Sequence, residues 1–259
     1  MKPMELPLFR KIIDEAASMG VPEVVLNGYG ELLTLQNLED YLKYIRSKKH
    51  RFFITINTNG HRMDFSKRKL FFNYKVDMIN ICLDGAKHST IAAIRRNLDP
   101  ARTERNVLDL LEEKKTTKGF APKVRLGLVK IAINAHETEE YLEKWNNKAD
   151  IVGVDCSSNR GGSVDEDLVK GTAMGSSTCA LPFHTLNVWS NGQCVICCND
   201  WNAELTVGNL ETQSIHDAWS SKAFMLIRRA HSAGRGDIIS ICAKCNFWNE
   251  PKPGQRLWS

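Results

Sequence analysis

Long apolar runs are absent. No stretch approaches the ~20 residues that cross a bilayer, and residues 1–20 are charged and amphipathic, with no apolar core of signal-peptide length. Low-complexity segments and internal repeats are absent too. Cysteine is scarce over most of the chain: of the eight, only Cys82 and Cys156 precede Cys179. Charge of one sign is also lacking, since 35 Lys and Arg against 30 Asp and Glu leave +5. These absences argue against a membrane partner, a secreted disulfide scaffold and a nucleic-acid partner. The basic clusters Arg46–Arg51 and Lys67–Lys69 read as solvated helix ends and loops. A chain of 259 residues, 42% of them hydrophobic, can bury one or two cores.

Six cysteines crowd the last third, at Cys179, Cys194, Cys197, Cys198, Cys242 and Cys245. With no secretory segment beside them, a metal or cluster site is a better reading than disulfides. Cys194-Val-Ile-Cys197 and Cys242-Ala-Lys-Cys245 have the spacing of two zinc knuckles. Four thiolates spread more widely suit an iron–sulfur cluster equally well. Spacing alone leaves both open. Cys82 and Cys156 fall in apolar strands or at their ends and read as small buried groups.

The first two thirds alternate strands with helices. Helical spacing covers residues 8–19, 37–48, 65–72, 102–115 and 137–146. Short apolar runs at 24–26, 52–56, 78–83, 124–133 and 151–154 read as strands. This predicts βαβ units and a parallel sheet, whose ligands sit at the carboxyl ends of the strands. The loops there are Gly28–Glu31, Thr58–Gly60, Asp84-Gly85 and Asn159–Gly162. Glycine lets a backbone approach a ligand or take positive φ, and a carboxylate such as Glu31 can hold an ammonium group. Asp84 reads equally as part of an Asp-Gly turn. Asn191-Gly192 predicts a hairpin, with Cys194 opening the return strand and Cys198 facing away from Cys197.

The stretch from Cys179 to Asp200, with Val207-Gly-Asn-Leu210, Ser214–Trp219, Phe224, Arg228 and Cys242-x-x-Cys245, resembles the SPASM or Twitch extension of radical S-adenosylmethionine (SAM) enzymes. The gaps of 17, 44 and 2 residues match the one-cluster Twitch form. The resemblance implies that Cys179, Cys197, Cys242 and Cys245 hold one auxiliary [4Fe-4S] cluster, with Cys194 in reserve. Leu26-Asn-Gly-Tyr-Gly-Glu-Leu-Leu33 looks like the family's glycine–glutamate motif, with Leu32 where many relatives have proline. Carried over, Gly28, Tyr29, Gly30 and Glu31 contact the methionine end of SAM, and Thr58 and Asp84 fit the later strand ends. The implied fold is an α/β chain. Residues 1–165 form a partial (β/α)6 radical SAM barrel missing its first strand, and residues 166–259 a small α+β SPASM/Twitch domain.

One family feature is missing. Radical SAM enzymes bind SAM on a second [4Fe-4S] cluster held by CxxxCxxC, and the sequence contains no such motif. The expectation is a chain begun late, inactive toward SAM as written; the alternative is a noncatalytic iron–sulfur binding module, or an α/β protein with a structural zinc ribbon. For a complete protein the resemblance implies an oxidoreductase or modifying enzyme. A 5′-deoxyadenosyl radical abstracts hydrogen from a small-molecule or peptide substrate, with a sugar-like compound favoured, and the auxiliary cluster accepts an electron. Flavodoxin or ferredoxin would be the electron donor, and a reducing cytoplasm the compartment. Asp200 is the candidate base, or else a turn cap. Arg160 is the candidate partner of a carboxylate. His184 and His231 read as structural, and Trp189, Trp201, Trp219 and Trp248 as packing around the cluster.

Overall fold

The computed structural model describes residues 2–28, 30–164 and 178–246. The chain divides into two compact units, residues 1–155 and 156–259.

The first unit is built on a sheet of β1 (Glu23–Leu26), β2 (Phe53–Thr58), β3 (Met78–Cys82), β4 (Lys123–Lys130) and β5 (Ile151–Cys156), in that spatial order. The pairs β1–β2, β2–β3 and β3–β4 are parallel. Helix α1 (Leu6–Ser18) precedes β1, and α2 (Leu38–Arg46), α3 (Phe65–Asn73), α4 (His88–Ile94), α5 (Pro100–Thr116) and α6 (Thr138–Trp145) fill the crossovers.

Each amphipathic helix buries the stripe its spacing implies. In α1 it is Phe9, Ile13 and Ala16; in α2 it is Leu38, Tyr41, Leu42 and Ile45. The strands contribute Ile54, Ile56, Ile79, Ile81, Val124, Leu126 and Leu128, all at 0% exposure. Each such side chain contributes about 1.5–3 kcal/mol through burial. Asp99 caps α5 by accepting from the Ala101 and Arg102 amides, and Pro100 occupies its first turn.

Two strand boundaries differ from expectation. β2 runs on through Asn57 and Thr58, because those residues stay paired with Asn80 and Ile81. β4 stops at Lys130 rather than residue 133. There the Asn134 side chain accepts the Ile131 amide at 2.7 Å and donates to the Val129 carbonyl at 2.9 Å, turning the chain into a 3₁₀ turn.

The second unit contains β6 (Asn187–Val188), β7 (Gln193–Val195) and β8 (Thr206–Asn209), paired antiparallel in that order. Around them lie α7 (Leu181–His184), α8 (Ile215–Trp219), α9 (Lys222–Ser232) and α10 (Ser240–Ala243). The hairpin between β6 and β7 turns at Gly192, whose φ is 80°, so glycine is required there. Ser214 and Asp217 form a capping box at the start of α8. Cys194 does open the return strand, but β7 ends at Val195, so Cys197 and Cys198 lie in the turn beyond it rather than in an extended strand. His184 closes α7.

Candidate functional site

In the second unit, Cys179, Cys197, Cys242 and Cys245 line one recess of about 330 Å³ counted out to its open mouth. They arrive from three separate places: the segment two residues before α7, the turn after β7, and α10 with the residues following it. Leu181, Pro182, Ile196 and Ile241 supply apolar wall. None of the eight cysteines is in a disulfide.

Burial raises the thiols. Cys179 is pushed up to about 11 by desolvation, and Cys242 to about 12 by desolvation and then by Cys179 and Cys245 beside it. Cys197 is raised further, by burial first and Cys198 second. A cationic group in the recess reverses this, because thiolates are what it binds.

Cys194 is fully buried, its thiol donates to the Gly192 carbonyl at 3.7 Å, and it does not line the recess. The two-knuckle zinc arrangement that needs Cys194 is therefore not assembled. Among the described residues, no three His, Cys, Asp or Glu side chains converge on a single-ion position. A donor set of four thiols spaced around an apolar recess fits a cluster larger than one ion.

Local contacts hold the ligands in place. His231, at 0% exposure on α9, accepts the Cys179 amide on Nδ1 at 3.2 Å. Burial lowers its pKa, so the ring is neutral. Arg228 stacks on Trp219 at 3.9 Å and on Phe224 at 4.0 Å, and its Nε donates to the Pro182 carbonyl at 2.8 Å, tying α9 to α7. Asp200 is fully buried, and its two oxygens accept the Glu204 and Leu205 amides at 2.8 and 3.0 Å. It pins the loop that follows Cys197-Cys198. Arg160 adopts φ 51°, lies 4.8 Å from the Trp201 ring and donates to Asn199 Oδ1 at 2.8 Å. Trp248 lies outside the described residues.

In the first unit, the loops after β1 and β2 meet through one carboxylate. Glu31 Oε1 accepts from the Thr58 hydroxyl at 2.5 Å and the Leu33 amide at 3.1 Å, while Oε2 accepts the Asn59 amide at 2.9 Å. Gly28 and Gly30 are exposed and neither has positive φ. A Cβ on Gly30 would meet nothing within 4 Å, and one on Gly28 only the Gly30 nitrogen at 3.9 Å. Their surroundings are open rather than sterically tight. Tyr29 lies outside the described residues.

Asp84 is buried, with φ 60°. Its Oδ2 pairs with Arg95 at 2.5 and 2.8 Å, and its Oδ1 accepts the Val129 amide at 3.0 Å. It is thus both an Asp-Gly turn residue and a link between β3, β4 and the end of α4. Sequence reasoning missed Arg95, Asn134 and Glu137. Glu137, at 0% exposure, accepts the Ala86 and Lys87 amides at 2.8 and 3.2 Å and the Thr90 hydroxyl. No local motif marks these residues: Arg95 reaches back 11 positions to Asp84, Asn134 reaches 50 to the Asp84 carbonyl besides its local bonds, and Glu137 reaches 51 to Ala86.

Residues 179–246 match the SPASM family, an iron–sulfur cluster-binding domain. That stretch lies within the second unit, and the chain has the fold of the radical SAM enzymes. The chain is 25% identical over 142 residues to the S-adenosyl-L-methionine-dependent 2-deoxy-scyllo-inosamine dehydrogenase of Niallia circulans. That match spans 51% of this chain and 56% of the relative's length.

Among solved structures, BtrN in complex with AdoMet and 2-DOIA superposes with a TM-score of 0.62 at 20% identity, covering 94% of this chain and 80% of BtrN. Native anSMEcpe with bound AdoMet gives 0.66 at 14% identity, over 97% and 85%. Streptococcus suis SuiB bound to S-adenosylmethionine gives 0.67 at 15% identity, over 88% and 61%. The cofactors of this SPASM-bearing family are iron–sulfur clusters and SAM. BtrN was solved with 2-DOIA bound and anSMEcpe with a peptide bound. Among the described residues, no helix is long and apolar enough to cross a membrane.

Proposed function

We propose that this chain carries the partial barrel and auxiliary-cluster domain of a radical SAM oxidoreductase acting in the cytoplasm on a hydroxyl-bearing, sugar-like small molecule. The observation that carries the reading is the convergence of Cys179, Cys197, Cys242 and Cys245 on one recess from three distant segments. In this reading the four thiolates hold one [4Fe-4S] cluster. The dehydrogenase relative supports a two-electron oxidation and a small substrate.

When bound, the clusters supply one-electron transfer and SAM supplies hydrogen-atom abstraction. This chain's own residues bind and orient. Gly28, Gly30 and Glu31 offer open backbone and a fixed carboxylate to the amino group of SAM, while Thr58 and Asn59 hold that carboxylate still. Asp84 keeps Arg95 at the strand ends. Asp200 accepts one amide on each oxygen, which positions the Cys197 turn, and a second lone pair on each oxygen leaves it the candidate base. Arg160, held by Asn199 and Trp201, is left for a carboxylate. The sequence has no CxxxCxxC, so cysteines other than those present are needed to cleave SAM.

Anaerobic reconstitution followed by iron, sulfide and zinc analysis with EPR tests the reading. About four irons and four sulfides per chain are expected, with the signal lost in Cys179→Ala. One zinc and no sulfide overturns it.

A further inference from the structure

One face of the first unit's sheet carries a polar row. In register, Asn57 stands beside Asn80, and Asn80 beside Arg125. Their side chains touch in the same order. Asn80 Nδ2 donates to Asn57 Oδ1 at 3.1 Å, Arg125 Nη1 donates to Asn80 Oδ1 at 2.9 Å, and Arg125 Nη2 donates to Asp155 Oδ1 at 2.6 Å. The row crosses four strands, β2 to β5.

The alternate residues Ile56, Ile79, Ile81, Val124 and Leu126 are fully buried on the opposite face. The polar face is the less buried of the two along this row, where the Arg125 and Asp155 side chains keep 21% and 36% of their exposure.

Two glycines make the row possible. A Cβ at Gly127 would lie 2.8 Å from Arg125 Nη1, and one at Gly153 would lie 2.9 Å from Nη2. The guanidinium lies flat over positions where any other residue would displace it. Stability alone does not explain this, because barrel interiors are ordinarily packed with branched apolar side chains. A half-buried ion pair gains little over such packing. The row also keeps spare capacity. Among the described residues, Asp155 Oδ2, Asn57 Nδ2 and Arg125 Nε have no protein hydrogen-bond partner. Neighbouring strands are about 4.8 Å apart, so alternating donors and acceptors stand at the spacing of substituents on a small ring.

We propose that this row is the recognition floor for an amino-substituted cyclic polyol, and that Asp155 is its specificity-determining residue. Asn57 and Asn80 take hydroxyl groups. Asp155, one oxygen already neutralised by Arg125, offers the other to an ammonium group. The assignment rests on the oxidoreductase reading for the class of substrate, but binding to the row needs neither cluster nor SAM.

The test is ligand-observed NMR on the full chain with two probes, 2-deoxy-scyllo-inosamine and myo-inositol, on wild type, Asp155→Asn and Asn57→Ala. Wild type should bind the amine more tightly. Asp155→Asn should lose about tenfold or more for the amine, the loss of one charge-assisted hydrogen bond, and much less for myo-inositol. Asn57→Ala should weaken both probes alike. The proposal is overturned if wild type binds neither probe, or if Asp155→Asn weakens both equally, the result of a purely structural ion pair. Should Asp155→Asn lose its native circular dichroism, Asn57→Ala decides: unchanged affinity for both probes overturns the row as a binding floor. Cluster content, measured separately, distinguishes this outcome from failure of the oxidoreductase reading. Iron and sulfide without probe binding removes only the row, and probe binding without iron removes only the cluster.

Discussion

Asn159 and Asn246 hold each other by reciprocal hydrogen bonds in the second unit. Asn246 Oδ1 accepts the Asn159 amide at 2.8 Å, and Asn159 Oδ1 accepts the Asn246 amide at 3.2 Å. Asn159 Nδ2 also donates to the Lys244 carbonyl at 2.6 Å. Three bonds thus fix the Cys242–Cys245 turn to a loop 87 positions earlier. Both asparagines are buried, so an unpaired amide left behind costs about 1–3 kcal/mol. Asn159→Ala should lower the melting temperature and shorten the life of the reconstituted cluster under chelator. Equal chelation rates in mutant and wild type would show that the turn holds itself.

The loop beside that pair has no room for a side chain. Gly161 has φ 65°, and a Cβ there would lie 2.3 Å from Ile241 Cγ1, next to Cys242. Gly161→Ala should cost about 2 kcal/mol or more through strain and overpacking. Iron occupancy should fall with it. A variant with wild-type stability and iron content would place Ile241 elsewhere.

Cysteine substitutions should divide cleanly. Cys179→Ser and Cys245→Ser should lose the cluster, because both line the recess. Cys194→Ser should keep it, since Cys194 is turned to the Gly192 carbonyl. Iron and sulfide counts check this, and loss of iron in Cys194→Ser alone would restore the two-knuckle arrangement.

Glu31 should matter to folding as well as to ligand. Glu31→Gln replaces one carboxylate oxygen with an amide that faces donors from Thr58, Leu33 or Asn59. A loss of about 1–3 kcal/mol is expected, because a buried donor is left without an acceptor. Urea denaturation measures it, and an unchanged midpoint would show that the two loops are held otherwise.

Glu137 supplies a pH dependence. Burial by itself raises its carboxyl, but bonds from the Thr90 hydroxyl and the Lys87 and Ala86 amides outweigh that and hold it below the usual carboxylate range. Its stabilisation is therefore complete above the ordinary value near 4.5 and is lost as pH falls through the lower folded value. Glu137→Gln should be less stable at neutral pH and should lose less stability on acidification below about pH 5. Parallel stability curves for the two proteins would contradict this.

Much of this was legible in the residues themselves. Helix stripes such as Leu38, Tyr41, Leu42 and Ile45, and strand runs such as Met78–Cys82, are local patterns set by backbone period, and the fold follows them. The cysteine spacings and the Asn-Gly turn were likewise local. What stayed hidden was pairwise: Asp84 with Arg95, Asn159 with Asn246, Asn80 with Arg125. Nothing in a neighbouring residue signals such a partner. Spacing by itself also left the choice between Cys194 and Cys197 open; the family resemblance, not a local physical signal, picked Cys197. Strand alternation does not orient Cys198, because β7 ends at Val195.

By itself, then, the sequence determined the α/β alternation, the glycine–glutamate loop and the cysteine-rich final third, because each depends on residues within a few positions of one another. Only the tertiary structure decided which four thiols share a recess, that Asp200 serves two amides, and that a polar row crosses the sheet at Gly127 and Gly153. Those outcomes depend on which distant side chains are brought within about 3 Å, and chain closure, not local propensity, sets that.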